Sequence, residues 1–128
     1  MAFSIKHRAV GTIDEIETKL TSALKENGFG VLSRLEVDKI LAEKIGVTIA
    51  PYRILGACNP RLAYESLKVE PEIGVFLPCS VCLREETDGT VSIWALDPSA
   101  VVEAIHQPDL TESGLQARAL IEHALDSL

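Results

Sequence analysis

Pro51-Tyr-Arg-Ile-Leu-Gly-Ala-Cys-Asn-Pro60 reads as a strand that runs straight into a helix. Tyr52 to Ala57 is a short, mostly apolar run of strand length, bounded by breakers. Asn59 suits a helix N-cap, because its side-chain oxygen can take an orphan amide of the first turn. Pro60 fits the first helical position, which needs no backbone donor. Leu62, Ala63 and Leu67 then supply a buried stripe, and Pro71 ends the helix.

The segments before this junction alternate in the same way. Phe3, Ile5, His7 and Ala9 are spaced by two between Ser4, Lys6 and Arg8, the pattern of a strand with one buried face. Thr12 with Glu15 three residues on forms a capping box. Ile13, Ile16, Leu20, Ala23 and Leu24 follow at helical spacing, and Gly28 closes that helix. Gly30 to Val37 reads as a second strand. Asp38 is expected to cap a short helix, Lys39 to Ile45, that stops at Gly46.

After the junction, Ile73 to Glu85 is expected to be one long apolar strand. Thr87-Asp-Gly-Thr90 marks a hairpin, since Asp-Gly tolerates the positive φ of tight turns. Val91 to Leu96 returns as the last strand. Asp97-Pro98 repeats the cap-plus-proline start for a helix to about Ile105, and Gln107-Pro108-Asp109 breaks the chain. A terminal helix follows, with Leu115, Ala119, Leu120 and Leu125 expected to face inward.

The order strand-helix three times, then two strands and two helices, favours an α+β fold. Residues 1–128 form a single domain, with one mainly antiparallel sheet and helices packed on one face. A chain of 128 residues can bury a core without staples. The apolar share of 47% and the charged share of 24% are those of an ordinary globular protein rather than a disordered one.

Twelve basic residues against 19 acidic ones give a net charge of −7. That sign repels phosphate backbones, so no nucleic-acid partner is expected. No apolar run approaches the length of a membrane span, and Met1 to Val10 alternates instead of forming a signal peptide's apolar block. Three cysteines, an odd and low number, point to reduced thiols and a cytoplasmic location.

Cys58, Cys79 and Cys82 all fall in the middle third. Cys79-Ser-Val-Cys82 has a dithiol's spacing, but it sits in a strand, where residues three apart point to opposite faces. A redox pair also needs a thiol at a helix N-terminus. Zinc would need about four ligands. His7 is the best-placed fourth ligand, though a core histidine bonded to a backbone carbonyl is the favoured reading of it, and His106 and His123 lie near helix ends. No metal and no cofactor are expected. Cys58 precedes the capped helix start, where the helix dipole is positive. Cys79 follows Pro78, which cannot donate to a ladder and suggests an edge or a bulge. Arg53 can hold an anion as a planar fork, or pair with Glu85 or Glu86. Trp94 is core if it faces the helices and an anchor for another subunit if it faces outward.

Glu26-Asn-Gly-Phe-Gly-Val31, Pro51 to Pro60, Glu70-Pro-Glu-Ile-Gly74 and Leu77-Pro-Cys79, with Arg84-Glu85 and Asp97-Pro98, make the chain resemble a bacterial and archaeal family. That family is known as domain of unknown function number 302, and the resemblance covers most of the chain. It implies a curved antiparallel sheet of the TATA-binding-protein-like class and a homodimer. It implies no reaction, so no catalytic residue carries over. Cys58, Asn59 and Cys79 match its motif; Cys82 departs from it, since an aliphatic residue is usual there.

The functional expectation is a small binding domain whose pocket is bordered by Tyr52, Arg53, Cys58, Asn59 and Cys79. Its ligand would be a small or thiol-reactive molecule. The alternatives are an enzyme or carrier of thiol chemistry using Cys58 or Cys79, and a structural interaction module.

Overall fold

A computed structural model describes the chain from residue 2 to residue 128. Its elements are β1 (Ser4–Val10), α1 (Ile13–Glu26), β2 (Gly30–Glu36), α2 (Val37–Ile45), β3 (Tyr52–Cys58), α3 (Pro60–Val69), β4 (Cys79–Glu85), β5 (Thr90–Leu96), α4 (Pro98–Ala104) and α5 (Thr111–Asp126). Short 3-10 helices occupy Pro71–Phe76 and Pro108–Leu110.

The five strands form one open sheet in the order β1-β5-β4-β3-β2. Every neighbouring pair is antiparallel. The β4–β5 hairpin turns at Gly89, whose φ of 82° explains the Asp-Gly signal. At the opposite edge, β2 carries a bulge between Val31 and Ser33.

Register assigns the faces. Leu55 lies opposite Val81, Val81 opposite Ala95, and Leu83 opposite Ile93, so these side chains share one face. They are buried against Ile16, Leu20 and Leu24 of α1 and Ala117, Ile121 and Ala124 of α5. Each such aliphatic side chain contributes about 1.5–3 kcal/mol by leaving water. A second cluster, Ile73, Val101, Val102 and Leu110, joins α4 to the two 3-10 helices. The other sheet face, with Ile54, Cys82 and Trp94 in one row and Tyr52 opposite Arg84, contributes nothing to the main core.

Caps act where the sequence places them in three cases. Thr12, Asn59 and Asp97 side chains accept from the Glu15, Leu62 and Ser99 amides at the starts of α1, α3 and α4. Asp97, only 3% exposed, also takes the Ser99 hydroxyl and Arg118 of α5. One carboxylate thus fastens the end of β5 to both helices that follow it.

Five expectations are corrected. Asp38 does not cap α2, which starts one residue earlier; its carboxylate instead accepts the Tyr52 amide at 3.1 Å. The strand expected from Ile73 begins only at Cys79. Pro71 at a first-turn position and the Glu70 carboxylate on the Glu72 amide start a 3-10 helix there, and Pro78 delays the ladder. Pro78 accordingly marks the entrance of an internal strand, not an edge. Leu115 and Ala119 are exposed, because the buried stripe of α5 runs through Gly114, Ala117, Ile121, Ala124 and Leu125. Phe3, 72% exposed, precedes β1 and is not part of its buried face.

No helix of the described residues is long and apolar enough to cross a membrane.

Candidate functional site

The junction between β3 and α3 builds one wall of a cleft. Cys58 ends the strand, Asn59 caps the helix, and Leu62, Ala63 and Ser66 continue the wall one turn apart. Cys79 opens β4 beside it, paired in register with Ala57. The opposite wall comes from Val101 and Val102 of α4 and from Gly114 and Ala117 of α5, with Phe76 and Leu77 at one side.

The cleft holds about 70 Å³. That is several times the space one water needs, and about half of a cavity that admits a benzene. No Asp, Glu, His, Lys or Arg lines it. Asn59 Oδ1 is taken by the Leu62 amide at 3.2 Å, and Ser66 Oγ donates to the Leu62 carbonyl at 2.8 Å. Apart from Asn59, Ser66, Ser113 and two thiols, the walls are apolar.

All three cysteines are free and half-buried. Burial, and secondly the charge of Cys58 when ionised, pushes the Cys79 thiol up to about 11. At neutral pH it is a neutral group, a weak donor and a soft acceptor. Cys82 points to the other sheet face, opposite Trp94 and Ile54. There it meets the Tyr52 phenol, whose pKa is raised by burial and then by this contact. The C-x-x-C spacing thus places its two sulfurs on opposite sides of the sheet.

Of the five residues expected at the pocket, the fold brings together Cys58, Asn59 and Cys79. Arg53 and Tyr52 lie at the far end of β3, about 17 Å and about 20 Å from Cys58 by strand rise. Arg53 is on the helix-covered face, where Nη2 pairs with Asp14 at 2.7 Å and Nη1 with Glu17 at 3.0 Å. Its partners are on α1, not Glu85 or Glu86. Glu17 also takes Arg34 Nε at 2.8 Å. Trp94 faces outward, with the Arg84 guanidinium 5.1 Å from its ring centre.

The histidines stand apart from the cleft. His7 is half-buried on edge strand β1, and His106 follows α4 with a φ of 53°. His123 Nδ1 lies 3.0 Å from Asn27 Oδ1. Among the described residues, no three His, Cys, Asp or Glu side chains converge on a point.

Sequence reasoning missed the α4–α5 wall. Its signal is Gly114 and Ala117, two small residues one turn apart. A β-carbon on Gly114 would sit 2.9 Å from Val102 Cγ2 and 3.3 Å from the Pro98 carbonyl. The glycine lets the two helices close over the cleft.

Fold and site together define a small α+β protein with one bare sheet face and a charge-free, thiol-bearing cleft under its helices. The chain belongs to the family described as "Domain of unknown function DUF302", which it matches over residues 5–128. It is similar to the uncharacterized conserved protein DUF302 of Bacillus stearothermophilus, whose crystal structure superposes with a TM-score of 0.91 at 30% identity, covering 98% of each chain. No curated protein matches it. The family description assigns no activity.

Proposed function

We propose that this protein is a binding domain whose cleft takes a small, uncharged, largely apolar molecule or the apolar end of a larger one. The observation that carries this reading is the lining itself. A recess that excludes every charged side chain, yet keeps two unengaged thiols, is built for a soft neutral group. Arg53 plays no part, being held by two carboxylates at the other end of its strand.

The elevated Cys79 pKa speaks against the thiol-enzyme alternative, because a nucleophilic cysteine needs its thiolate favoured. Dissolved xenon is a suitable probe of the cleft. Under xenon pressure, methyl resonances of Ala57, Leu62 and Ala117 should shift while those of Ala9 and Val91 stay still. Uniform or absent shifts would overturn the reading.

We further propose that the chain pairs with a second copy. The segment from Leu32 to Ile49 favours this. It exposes Leu32 at 70%, Leu35 at 51% and Ile45 at 68%, with Ile40, Val47 and Ile49 also open. Helix α2 has nine residues and buries none of them. A helix that short is marginal in water unless something covers it. These six side chains expose on the order of 500 Å² per chain, so a symmetric pair with part of the bare sheet face reaches the 1,200 Å² or more of a stable dimer. Three free cysteines fit a reducing compartment, the cytoplasm.

A further inference from the structure

The two edges of the sheet differ. At β2 the bulge interrupts the row of backbone groups, whereas β1 keeps an unbroken register with β5 from Ser4 opposite Leu96 to Val10 opposite Thr90. The ladder fixes which groups of β1 are spare. The Asp97 amide donates to the Phe3 carbonyl at 2.9 Å, and the Gly11 amide to the Gly89 carbonyl at 3.1 Å. Antiparallel partners alternate between bonded and non-bonded pairs. Ile5, His7 and Ala9 therefore bond to β5, and the amides and carbonyls of Ser4, Lys6, Arg8 and Val10 point away from the sheet.

We propose that β1 is a docking edge for an extended acidic peptide, which adds as a further strand with carboxylates opposite Lys6 and Arg8.

Main-chain hydrogen bonds hold such a strand, and side chains at alternate positions select it. Here the selecting side chains are basic. Lys6 and Arg8 are exposed, and they lie on the bare sheet face opposite Trp94 and Ser92. Arg8 reaches Asp88 only at 3.4 Å, and both of these side chains are more than half exposed. A chain of net charge −7 thus presents two bases, two residues apart, along a free edge. Residues two apart on a strand share a face, so Asp or Glu at alternate positions of the peptide meets both.

The same bases disfavour the other natural occupant of an edge, a second β1. In the registers of greatest overlap, antiparallel pairing through the spare groups sets Lys6 against Arg8, Lys6 against Lys6, or Arg8 against Arg8. Like charges directly opposite destabilise a strand pair. The edge also lies across the sheet from β2, so an added strand leaves the pairing surface of α2 free.

The test uses the full chain and a fluorescein-labelled peptide of alternating Glu and Val, read by anisotropy at low salt. A peptide of alternating Lys and Val should bind about 10-fold more weakly or worse. So should one whose glutamates are N-methylated, which keeps the charge but removes the donors that face β1. Lys6→Glu and Arg8→Glu should each weaken binding by about 10-fold or more, while Lys25→Glu on α1 should leave it unchanged. Amide hydrogen exchange locates the strand without any variant. On binding, the amides of Ser4, Lys6, Arg8 and Val10 should gain protection, and those of Ile5, His7 and Ala9 should not. No binding of the Glu-Val peptide at millimolar concentration overturns the proposal. Equal binding of the Lys-Val or N-methylated peptide, equal weakening by Lys25→Glu, or protection confined to other elements overturns it as well.

Discussion

Arg53 Nη1 on β3 lies 3.0 Å from Glu17 Oε1 on α1, and this ion pair locks the first helix to the strand next to the β2 edge. The Arg53 side chain is 12% exposed and Glu17 19%, so water screens little of it. Arg53→Met should lower stability by about 2 kcal/mol, the range for charged hydrogen bonds, measured as a urea midpoint shift. The xenon-induced shifts in the cleft should be unaltered. Their loss in a folded Arg53→Met protein would show that this arginine does serve the ligand.

The protonation of Cys79 makes stability fall in alkali. The thiol ionises near 9 in an unstructured chain and near 11 in the folded protein. Folding therefore favours the protonated form, and its contribution is full below pH 9 and lost as pH rises through 11. At 1.36 kcal/mol per unit this is about 3 kcal/mol. Cys79→Ala should show a flatter stability profile over that window than the wild type. A parallel profile would disprove the assignment.

The same displacement governs reactivity. At pH 8 the thiolate fraction of Cys79 is about a hundredth that of a free thiol, and alkylation depends on the thiolate. Iodoacetamide labelling followed by peptide mass analysis should find Cys79 modified about 100-fold more slowly than a model thiol. Faster labelling would reinstate the thiol-enzyme reading.

Gly56 has no room for a side chain. A β-carbon there would collide with Ser33 Oγ of β2 and with the Pro78 ring before β4. Gly56→Ala should cost about 1–3 kcal/mol through overpacking, seen as a lower Tm. A Tm within one degree or so of wild type would mean that the strands shift to make room.

The second-copy proposal is checked by sedimentation at micromolar concentration. The wild type should run as a dimer, and Ile45→Glu or Leu35→Arg as a monomer with unchanged circular dichroism. A monomeric wild type would leave α2 without a cover and refute the pairing.

The sheet and all five helices were legible because their signals are local. Thr12, Asn59 and Asp97 cap helices through their own side chains, and Asp88-Gly89 makes its turn within four residues. The errors lie where two local signals compete. Pro71 and Pro78 together exclude a strand from a run, Ile73 to Leu77, whose composition favours one. Asp38 has a cap's chemistry but, inside α2, accepts the Tyr52 amide at the start of β3 instead. The cleft was half legible. Its β3–α3 wall comes from one continuous motif, whereas its other wall comes from helices some forty to sixty residues later that reach it only through the sheet order. Tyr52 and Arg53 were grouped with Cys58 by sequence proximity, but an extended chain carries neighbours apart at 3.3 Å per residue.

The bulge between Val31 and Ser33 bears on how this protein behaves when concentrated. An open sheet has two unpaired borders, and a straight one would accept a further strand from any neighbour, and then another. The extra residue at Leu32 twists that border out of plane and interrupts its row of donors and acceptors. Growth by strand addition is blocked on that side, so crowding should yield discrete particles and not fibres.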